Sequence, residues 1–127
     1  VGDDVKVILM EAKEDHPFVQ VELMMPILPL VRVPDVDQAI EMAVRVEHGN
    51  RHTAMMHSRN VEKLTKMARL IQTTIFVKNG PSYAGIGVGG EGYTTFTIAG
   101  PTGEGLTSAK SFARRRRCVL VGGMDVR

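Results

Sequence analysis

Residues 53–78, TAMMHSRNVEKLTKMARLIQTTIFVK, decide the fold class of this chain. A short apolar run at 53–57 is followed by apolar side chains at helical spacing, and then by the β-branched run 73–78. This order predicts a strand, an amphipathic helix capped by Ser58 or Asn60, and a second strand. Because strands that alternate with helices usually pair in parallel, we expect a parallel β-α-β unit with a right-handed crossover.

Further strands are predicted toward the N-terminus. The apolar run VKVILM at 5–10 is typical of a buried strand, and FVQVEL at 18–23 alternates well enough for another. Pro26 and Pro29 predict an irregular extended passage, since proline cannot donate a hydrogen bond to a strand ladder. A strand is expected to resume at 30–33.

A first helix is predicted between these strands and residue 53. Asp35 is a good N-cap, and Gln38 follows three residues later as in a capping box. Gly49 ends the apolar periodicity, as a glycine after a helix commonly does. Strands and helices therefore alternate, and this predicts an α/β fold with a mostly parallel sheet flanked by helices.

The character of the chain changes after the turn signal Asn-Gly-Pro at 79–81. We predict a glycine-rich loop at 80–93, a threonine-rich strand at 94–99, a short helix at 106–112 and a last strand at 118–121.

Composition excludes several classes of protein. The chain has 127 residues, of which 43% are hydrophobic, enough for one domain with a packed core. Its single cysteine cannot form an intramolecular disulfide, and no apolar run approaches the ~20 residues that span a bilayer, so we expect a cytoplasmic protein. The start lacks an initiator methionine and opens into strand-like sequence, which suggests a piece of a longer protein.

The glycine spacing of a nucleotide-binding motif is present, but the predicted secondary structure around it does not fit that motif. Gly85, Gly87 and Gly90 match G-x-G-x-x-G, as do Gly87, Gly89 and Gly92. The dinucleotide fingerprint needs a strand before the glycines and a helix after them, whereas here a loop precedes them and the β-branched TTFTI follows. We expect a glycine-rich loop rather than a phosphate cradle.

Histidines cluster at 48, 52 and 57, but no second cluster of acidic or cysteine residues completes a metal site, so none is predicted. His52, at the start of a predicted strand, is a candidate for a pocket. Glu22 lies inside the apolar run VELMMPI and must either face solvent or meet a partner. Met24 and Met25 beside it are most simply pliable core residues.

Four consecutive arginines, 114–117, precede the only cysteine, Cys118. Nearby positive charge lowers a thiol pKa, but no base lies close in sequence, and the apolar VLV that follows favours a structural thiol on a paired strand. Arginines on an edge strand protect it from aggregation and form ion pairs at subunit contacts. A small basic nucleic-acid binder is the remaining alternative, although the net charge is only +2.

Two longer stretches resemble one family. Residues 21–43, VELMMPILPLVRVPDVDQAIEMA, resemble the part of aldehyde dehydrogenases in which a Glu-hydrophobic-Phe-Gly-Pro segment precedes a strand and a helix. Residues 48–123, from HGNRHTAMMH to CVLVGG, resemble the C-terminus of the CoA-acylating branch, in particular the propanediol- and ethanolamine-utilisation enzymes of bacterial microcompartments.

This resemblance implies an oxidoreductase that converts a short aldehyde to its acyl-CoA, with NAD as oxidant and coenzyme A as acyl acceptor. An upstream cysteine attacks the aldehyde, hydride passes to NAD, and coenzyme A takes the acyl group. The chain would be the C-terminal part of that enzyme, inactive alone and without the nucleophile, so that no catalytic residue and no metal ligand is assigned here. An assembly module without catalysis of its own is the alternative.

The resemblance also implies roles for residues and segments. Glu22 matches the family glutamate that binds the nicotinamide-side ribose of NAD, and Met24 stands where the family often has a phenylalanine near the nicotinamide. Residues 1–80 would be the rear of the catalytic domain, and 81–127 a glycine-rich loop, a strand and a C-terminal oligomerisation segment. The implied partners are the rest of the enzyme, a short-chain aldehyde and other copies of the chain, with neither nucleic acid nor membrane, and the implied location is the cytoplasm or a microcompartment lumen.

Overall fold

The computed structural model describes residues 2, 4–90, 98–99, 105–106, 109–119 and 121–122. The strands are β1 (Ile8–Glu11), β2 (Ile27–Leu30), β3 (Thr53–Met56), β4 (Ile75–Lys78), β5 (Ile98–Ala99) and β6 (Gly105–Leu106). The α-helices are α1 (Pro17–Gln20), α2 (Val36–Val46) and α3 (Val61–Ile71), and short 3-10 helices cover Ser82–Ile86 and Ala109–Phe112.

The β-α-β unit predicted from residues 53–78 is confirmed. β3 and β4 pair in parallel, with Thr53 opposite Ile75 and Met56 opposite Lys78, and α3 connects them. Asn60 rather than Ser58 is the N-cap of α3, and its side-chain oxygen accepts a hydrogen bond from the Lys63 N–H at 3.0 Å. This bond satisfies one of the amides that the first helical turn leaves unpaired.

β1 and β2 form a second parallel pair, in which Ile8 lies opposite Ile27 and Glu11 opposite Leu30. Two predictions in this region are wrong. The passage predicted to be irregular contains β2, which includes Pro29; a two-stranded pair leaves one edge of each strand without a ladder, so a residue without an N–H is tolerated. The strand resumes earlier than predicted and ends at Leu30.

The strand predicted at 18–23 is also wrong, because the chain forms the short helix α1 there. His16 caps this helix: its Nδ1 accepts a hydrogen bond from the Phe18 N–H at 3.0 Å, and Pro17 occupies the first turn, where proline is favoured. The local capping signal outweighs the alternation of apolar side chains. The chain leaves the helix at Val21 in an extended conformation.

The helix predicted from residue 35 is confirmed. The Asp35 carboxylate accepts a hydrogen bond from the Gln38 N–H at 2.9 Å, and the Gln38 side chain donates to the same carboxylate at 3.0 Å. Gly49 follows the helix with φ at +76°, a conformation that glycine adopts without strain.

The core lies between the two long helices and the β3–β4 pair. Ile40 of α2 is its most buried side chain, 1% exposed. The remaining members of the cluster are apolar side chains from β3 and α3, namely Ala54, Met56, Leu64, Met67 and Ile71. Ala43, Val44 and Phe76 pack against it from the edge. This core joins α2, α3 and β3.

The predictions for residues 80–112 agree only in part with the structure. Of the strand predicted at 94–99, the described part is Ile98–Ala99, which pairs antiparallel with Gly105–Leu106; residues 94–97 lie outside the described residues. Of the helix predicted at 106–112, Leu106 lies in β6, Ala109–Phe112 form a 3-10 helix, and residues 107–108 lie outside the described residues. The loop predicted at 80–93 contains the 3-10 helix Ser82–Ile86, and its residues 91–93 are not described.

The last strand predicted at 118–121 is absent from its described residues Cys118, Val119 and Val121. A strand is stabilised by a hydrogen-bonded neighbour, and no described residue pairs with this segment. The role of the segment in oligomerisation stays a prediction.

Candidate functional site

A cleft of about 670 Å³ brings together two residues that the sequence singled out, Glu22 and His52. It lies where the segment after α1, the end of α2 and the start of β3 meet. The residues around it are Val19, Gln20, Val21, Glu22, Val46, Glu47, His48, Asn50, His52 and Thr53. The lining therefore combines two carboxylates, two imidazoles and three valine side chains.

The segment that carries Glu22 is held by the turn before it. The Val21 N–H donates to the Pro17 carbonyl at 3.0 Å, and the Gln20 side chain donates to the Glu14 carbonyl at 2.5 Å. Glu22 itself is exposed and lies outside any helix or strand, so the predicted strand position for it is wrong. Within the described part of the chain its carboxylate has neither a hydrogen-bond nor an ion-pair partner, which leaves both oxygens available to a ligand.

An ion pair joins α2 to the segment that precedes α1. Arg45, in the last turn of α2, donates two hydrogen bonds to Glu14 at 2.8 and 3.1 Å. The guanidinium lowers the pKa of Glu14 below its ordinary value, chiefly through this hydrogen bond. The same bond raises the pKa of Arg45. Both groups stay charged near neutral pH.

A tight turn after α2 carries several of the residues that line the cleft. His48, Gly49 and Arg51 all have positive φ values, 55°, 76° and 54°. The Glu47 carboxylate accepts a hydrogen bond from the Arg51 N–H across this turn, and the Asn50 side chain donates to the Glu47 carbonyl at 2.9 Å. Glu47 thus lines the cleft, but its carboxylate is occupied in holding the turn.

His52 stands at the start of β3, where the backbone is anchored to β4. The Thr74 N–H donates to the Arg51 carbonyl at 2.9 Å, and the Ile75 N–H donates to the His52 carbonyl at 3.1 Å. The His52 Nδ1 lies 2.6 Å from the Thr53 hydroxyl oxygen, so one ring nitrogen already has a partner and Nε2 is left for a ligand.

Met24 lies outside the lining of this cleft. Its side chain is 88% exposed, and its φ is +50°. The turn it occupies follows Glu22 and leads to Pro26 and β2. A contact between Met24 and a nicotinamide ring stays a prediction.

The three histidines do not form a metal centre in the described part of the chain. His48 and His52 share the cleft, whereas His57 is exposed beyond the end of β3. Among the described residues, no group of three or more His, Cys, Asp or Glu side chains is arranged to hold a metal ion.

The glycine-rich loop has a packing role, shown most clearly at Gly85. A Cβ added to Gly85 would lie 2.3 Å from Cγ2 of Ile75, so the loop approaches β4 as closely as it does because residue 85 has no side chain. Gly87 and Gly89 adopt positive φ, and no α-helix follows them as far as residue 90. In the part described, this agrees with a loop rather than a dinucleotide fingerprint; Gly92 lies outside the described residues.

The arginine run and Cys118 are exposed, and residues 114–119 adopt no regular structure. The thiol of Cys118 is thus exposed and not buried as predicted, and no described residue pairs with its segment. Pairing of this segment with another part of the enzyme stays a prediction. In the described part of the chain, no helix has the length and apolar character needed to cross a lipid bilayer.

Several cleft residues were missed by sequence reasoning. The sequence gives no signal for Thr53, Asn50 or Glu47, because each of these residue types is common in a turn or at the end of a strand. The signal that could have found them is the dense polar stretch EHGNRHT between a helix and a strand, where loops commonly carry binding residues.

Comparison with known proteins identifies the family. The profile described as "Aldehyde dehydrogenase family" matches residues 6–105, well over half of the chain. The chain belongs to the aldehyde dehydrogenase family. Both parallel strand pairs, the Glu22 cleft and the glycine-rich loop fall inside the matched region.

Curated aldehyde dehydrogenase relatives are much longer than this chain. The "Propanal dehydrogenase (CoA-propanoylating)" of Citrobacter freundii is 64% identical over 91% of this chain and 25% of its own length. The "Acetaldehyde dehydrogenase (acetylating) EutE" of Escherichia coli is 57% identical over 99% of this chain and 27% of its own length. The chain thus spans about a quarter of these relatives.

Solved aldehyde dehydrogenase structures share the fold. The Rhodopseudomonas palustris propionaldehyde dehydrogenase with bound propionyl-CoA is 77% identical, with a TM-score of 0.85 over 94% of this chain and 26% of that one. An engineered glycolyl-CoA reductase with bound NADP+ matches with the same identity and TM-score, over 94% of this chain and 27% of that one. A propionaldehyde dehydrogenase from the Clostridium phytofermentans fucose utilisation bacterial microcompartment is 54% identical, with a TM-score of 0.84 over 100% of this chain and 29% of that one.

Proposed function

We propose that this chain is part of a CoA-acylating aldehyde dehydrogenase that oxidises a short aldehyde to its acyl-CoA with NAD, and that it contributes the Glu22 cleft to cofactor binding. The observation that carries the proposal is the meeting of Glu22 and His52 in one cleft. The names of the relatives, which act on propanal and acetaldehyde with coenzyme A, support the substrate class.

Glu22 is suited to bind a ribose. A carboxylate accepts hydrogen bonds only, and its two oxygens can take one from each hydroxyl of a cis-diol. The lack of a protein partner for Glu22 among the described residues supports this role, because the carboxylate need not break an ion pair to bind the ligand. The oxidised nicotinamide of NAD would supply the hydride acceptor, whereas Glu22 would orient the sugar beside it.

The chemical step is assigned to a part of the enzyme outside this chain. Cys118 is exposed in a segment without regular structure, and it is not among the residues that line the Glu22 cleft. The proposed nucleophile is therefore a cysteine elsewhere in the longer enzyme, and the 127 residues alone should not turn over an aldehyde. A location in the cytoplasm or in a bacterial microcompartment goes with this proposal.

The test uses the complete enzyme and one isosteric change. Glu22→Gln removes the charge and one acceptor oxygen, and we expect KM for NAD+ to rise about ten- to a hundredfold, since a hydrogen bond to a charged group contributes about 1.5–3 kcal/mol. KM for the aldehyde should change little.

Glu62→Gln, the same change on the exposed first turn of α3, serves as the control and should leave all constants unaltered. An equal KM for NAD+ in Glu22→Gln and the unmodified enzyme would show that Glu22 does not contact the cofactor. Turnover of aldehyde by the isolated 127-residue chain would refute its assignment as a part of the enzyme.

A further inference from the structure

Thr53 and His52 form a pair that the proposed ribose contact does not use. The His52 Nδ1 and the Thr53 Oγ1 are 2.6 Å apart, and both residues line the Glu22 cleft. Among the described residues, the Thr53 hydroxyl has no other hydrogen-bond partner.

The hydrogen-bond inventory of Thr53 favours one direction for this bond. Its hydroxyl group has one hydrogen to donate, and among the described residues the His52 Nδ1 is the one acceptor within reach of it. This favours the Thr53 O–H as donor and the His52 Nδ1 as acceptor. In a neutral imidazole, one ring nitrogen accepts and the other carries the proton, so Nε2 must be protonated.

We infer that Thr53 is a positioning residue: it fixes His52 in the Nε2–H tautomer, so that His52 donates a hydrogen bond to an oxygen of the nucleotide bound in the Glu22 cleft. The functional part of this inference rests on the proposed function, but the tautomer does not. The cleft then offers complementary groups, an acceptor at Glu22 and a neutral donor at His52.

The surroundings of His52 support a fixed ring. Its backbone carbonyl accepts from the Ile75 N–H, and Thr53 lies opposite Ile75 in the β3–β4 ladder. The other titratable groups around the cleft are Glu22, Glu47 and His48. Of these, Glu47 is occupied by the Arg51 N–H, so Thr53 is the residue that the structure pairs with the His52 ring.

The first test is spectroscopic and uses the 127-residue chain with ¹⁵N-labelled histidine at a pH where the imidazole is neutral. The His52 signal is assigned by its loss in His52→Gln. We expect an acceptor-type Nδ1 and a protonated Nε2 in the unmodified chain and in Thr53→Ser, which keeps the hydroxyl. In Thr53→Val, which keeps the shape and suits a strand, the nitrogen shifts should move toward a mixture of tautomers.

Thr65→Val removes a hydroxyl from the exposed face of α3, where it bonds to the Val61 carbonyl, and should leave the His52 shifts unchanged. A protonated Nδ1 in the unmodified chain would overturn the inference. So would unchanged His52 shifts in Thr53→Val.

The second test uses the complete enzyme, so it does not depend on the folding of the fragment. Thr53→Val should raise KM for NAD+ or for coenzyme A about two- to tenfold with kcat nearly unchanged, as expected for one hydrogen bond between neutral groups. The substrate whose KM rises identifies the nucleotide. Thr53→Ser should restore the value.

Equal impairment of Thr53→Ser and Thr53→Val would assign Thr53 a packing role and refute the inference, and so would unchanged KM values for both nucleotides. The Glu22→Gln experiment fails or succeeds independently of the ¹⁵N shifts, so the proposed function and the tautomer are decided separately.

Discussion

At the scale of single residues, backbone conformation and close packing decide which positions tolerate few residue types. His48, Arg51 and Asn79 hold left-handed backbone conformations without being glycine. Two side-chain hydrogen bonds offset the cost of this conformation at Asn79. Its Oδ1 accepts from the Ser58 N–H at 2.7 Å, and its Nδ2 donates to the Ser58 carbonyl at 3.0 Å. Gly85 is fixed for a different reason, the approach of the loop to Ile75.

Gly85→Ala should destabilise the chain by about 1–3 kcal/mol, the usual cost of overpacking a filled site. The new methyl group would meet Cγ2 of Ile75, which is 6% exposed and cannot move freely. Urea unfolding of the single variants and of the double variant with Ile75→Ala measures the coupling. Gly85→Ala should cost much less in the Ile75→Ala background, which removes that methyl group.

Gly2→Ala is the control, because no atom lies within 4 Å of the added Cβ, and it should leave stability unchanged. Strictly additive costs for the two substitutions would show that the clash with Ile75 does not limit this position.

At the scale of elements, one carboxylate joins the two long helices. Asp37, in the first turn of α2, accepts hydrogen bonds from Lys63 at 2.6 and 2.8 Å and from Lys66 at 2.8 Å. Both lysines belong to α3, so the ion pairs bridge the helices beside the Ile40 core. The Lys63 and Lys66 hydrogen bonds lower the pKa of Asp37 from 3.8 to about 2.

The sign of the pH dependence follows from this shift. Because the folded-state pKa of Asp37 lies below its unfolded value, its stabilising contribution is present above about pH 4 and is lost as the pH falls toward 2. We expect Asp37→Asn to be less stable than the unmodified chain at pH 5, and the difference to shrink by pH 2. Urea midpoints at pH 5, 4, 3 and 2 measure this.

Glu62→Gln is the matched control, since Glu62 is an exposed carboxylate without an ion pair among the described residues. The urea midpoint of Glu62→Gln should change between pH 4 and 2 by the same amount as that of the unmodified chain. A constant difference between Asp37→Asn and the unmodified chain over the whole range would contradict the role given to Asp37.

At the scale of the whole molecule, the β1–β2 pair leaves an apolar face uncovered. Leu9 and Leu28 lie opposite each other in the parallel register and are 60% and 51% exposed. Val7 and Leu30 add to this surface. Contiguous apolar surface of this kind normally marks a contact with other protein, in keeping with a chain that spans about a quarter of its relatives.

The isolated chain should therefore self-associate as its concentration rises, and Leu9→Lys with Leu28→Lys should reduce that association. Charged side chains on the face cost little when solvated but oppose burial against another copy. Light scattering after size exclusion gives the mass at several concentrations.

Thr65→Lys with Ser82→Lys adds the same charge at exposed polar positions and should leave the mass unchanged. Equal association of the leucine double variant and the unmodified chain would show that another surface drives it.

The sequence alone determined the elements whose signals are local. The period of apolar side chains, the caps Asp35 and Asn60 and the turn after β4 were sufficient for α2, α3 and the parallel β3–β4 pair, because capping and periodicity act within a few residues. The same reasoning marked Glu22 as an unusual carboxylate and His52 as a pocket candidate. It failed at α1, where a histidine cap prevailed over alternation, and at residues 118–121, where a strand needs a neighbour.

Only the tertiary structure decided that Glu22 and His52 share a cleft, that the Glu47 carboxylate bonds to the Arg51 N–H and that the Thr53 hydroxyl lies within hydrogen-bond distance of the imidazole. The meeting of Glu22 with His52 depends on how the segment after α1, the end of α2 and the start of β3 come together in the folded chain, and the left-handed turn after α2 sets where Glu47 lies. Periodicity along the chain carries no information about distances between residues that are brought together by packing. For that reason the candidate residues could be proposed one by one, but the site could not.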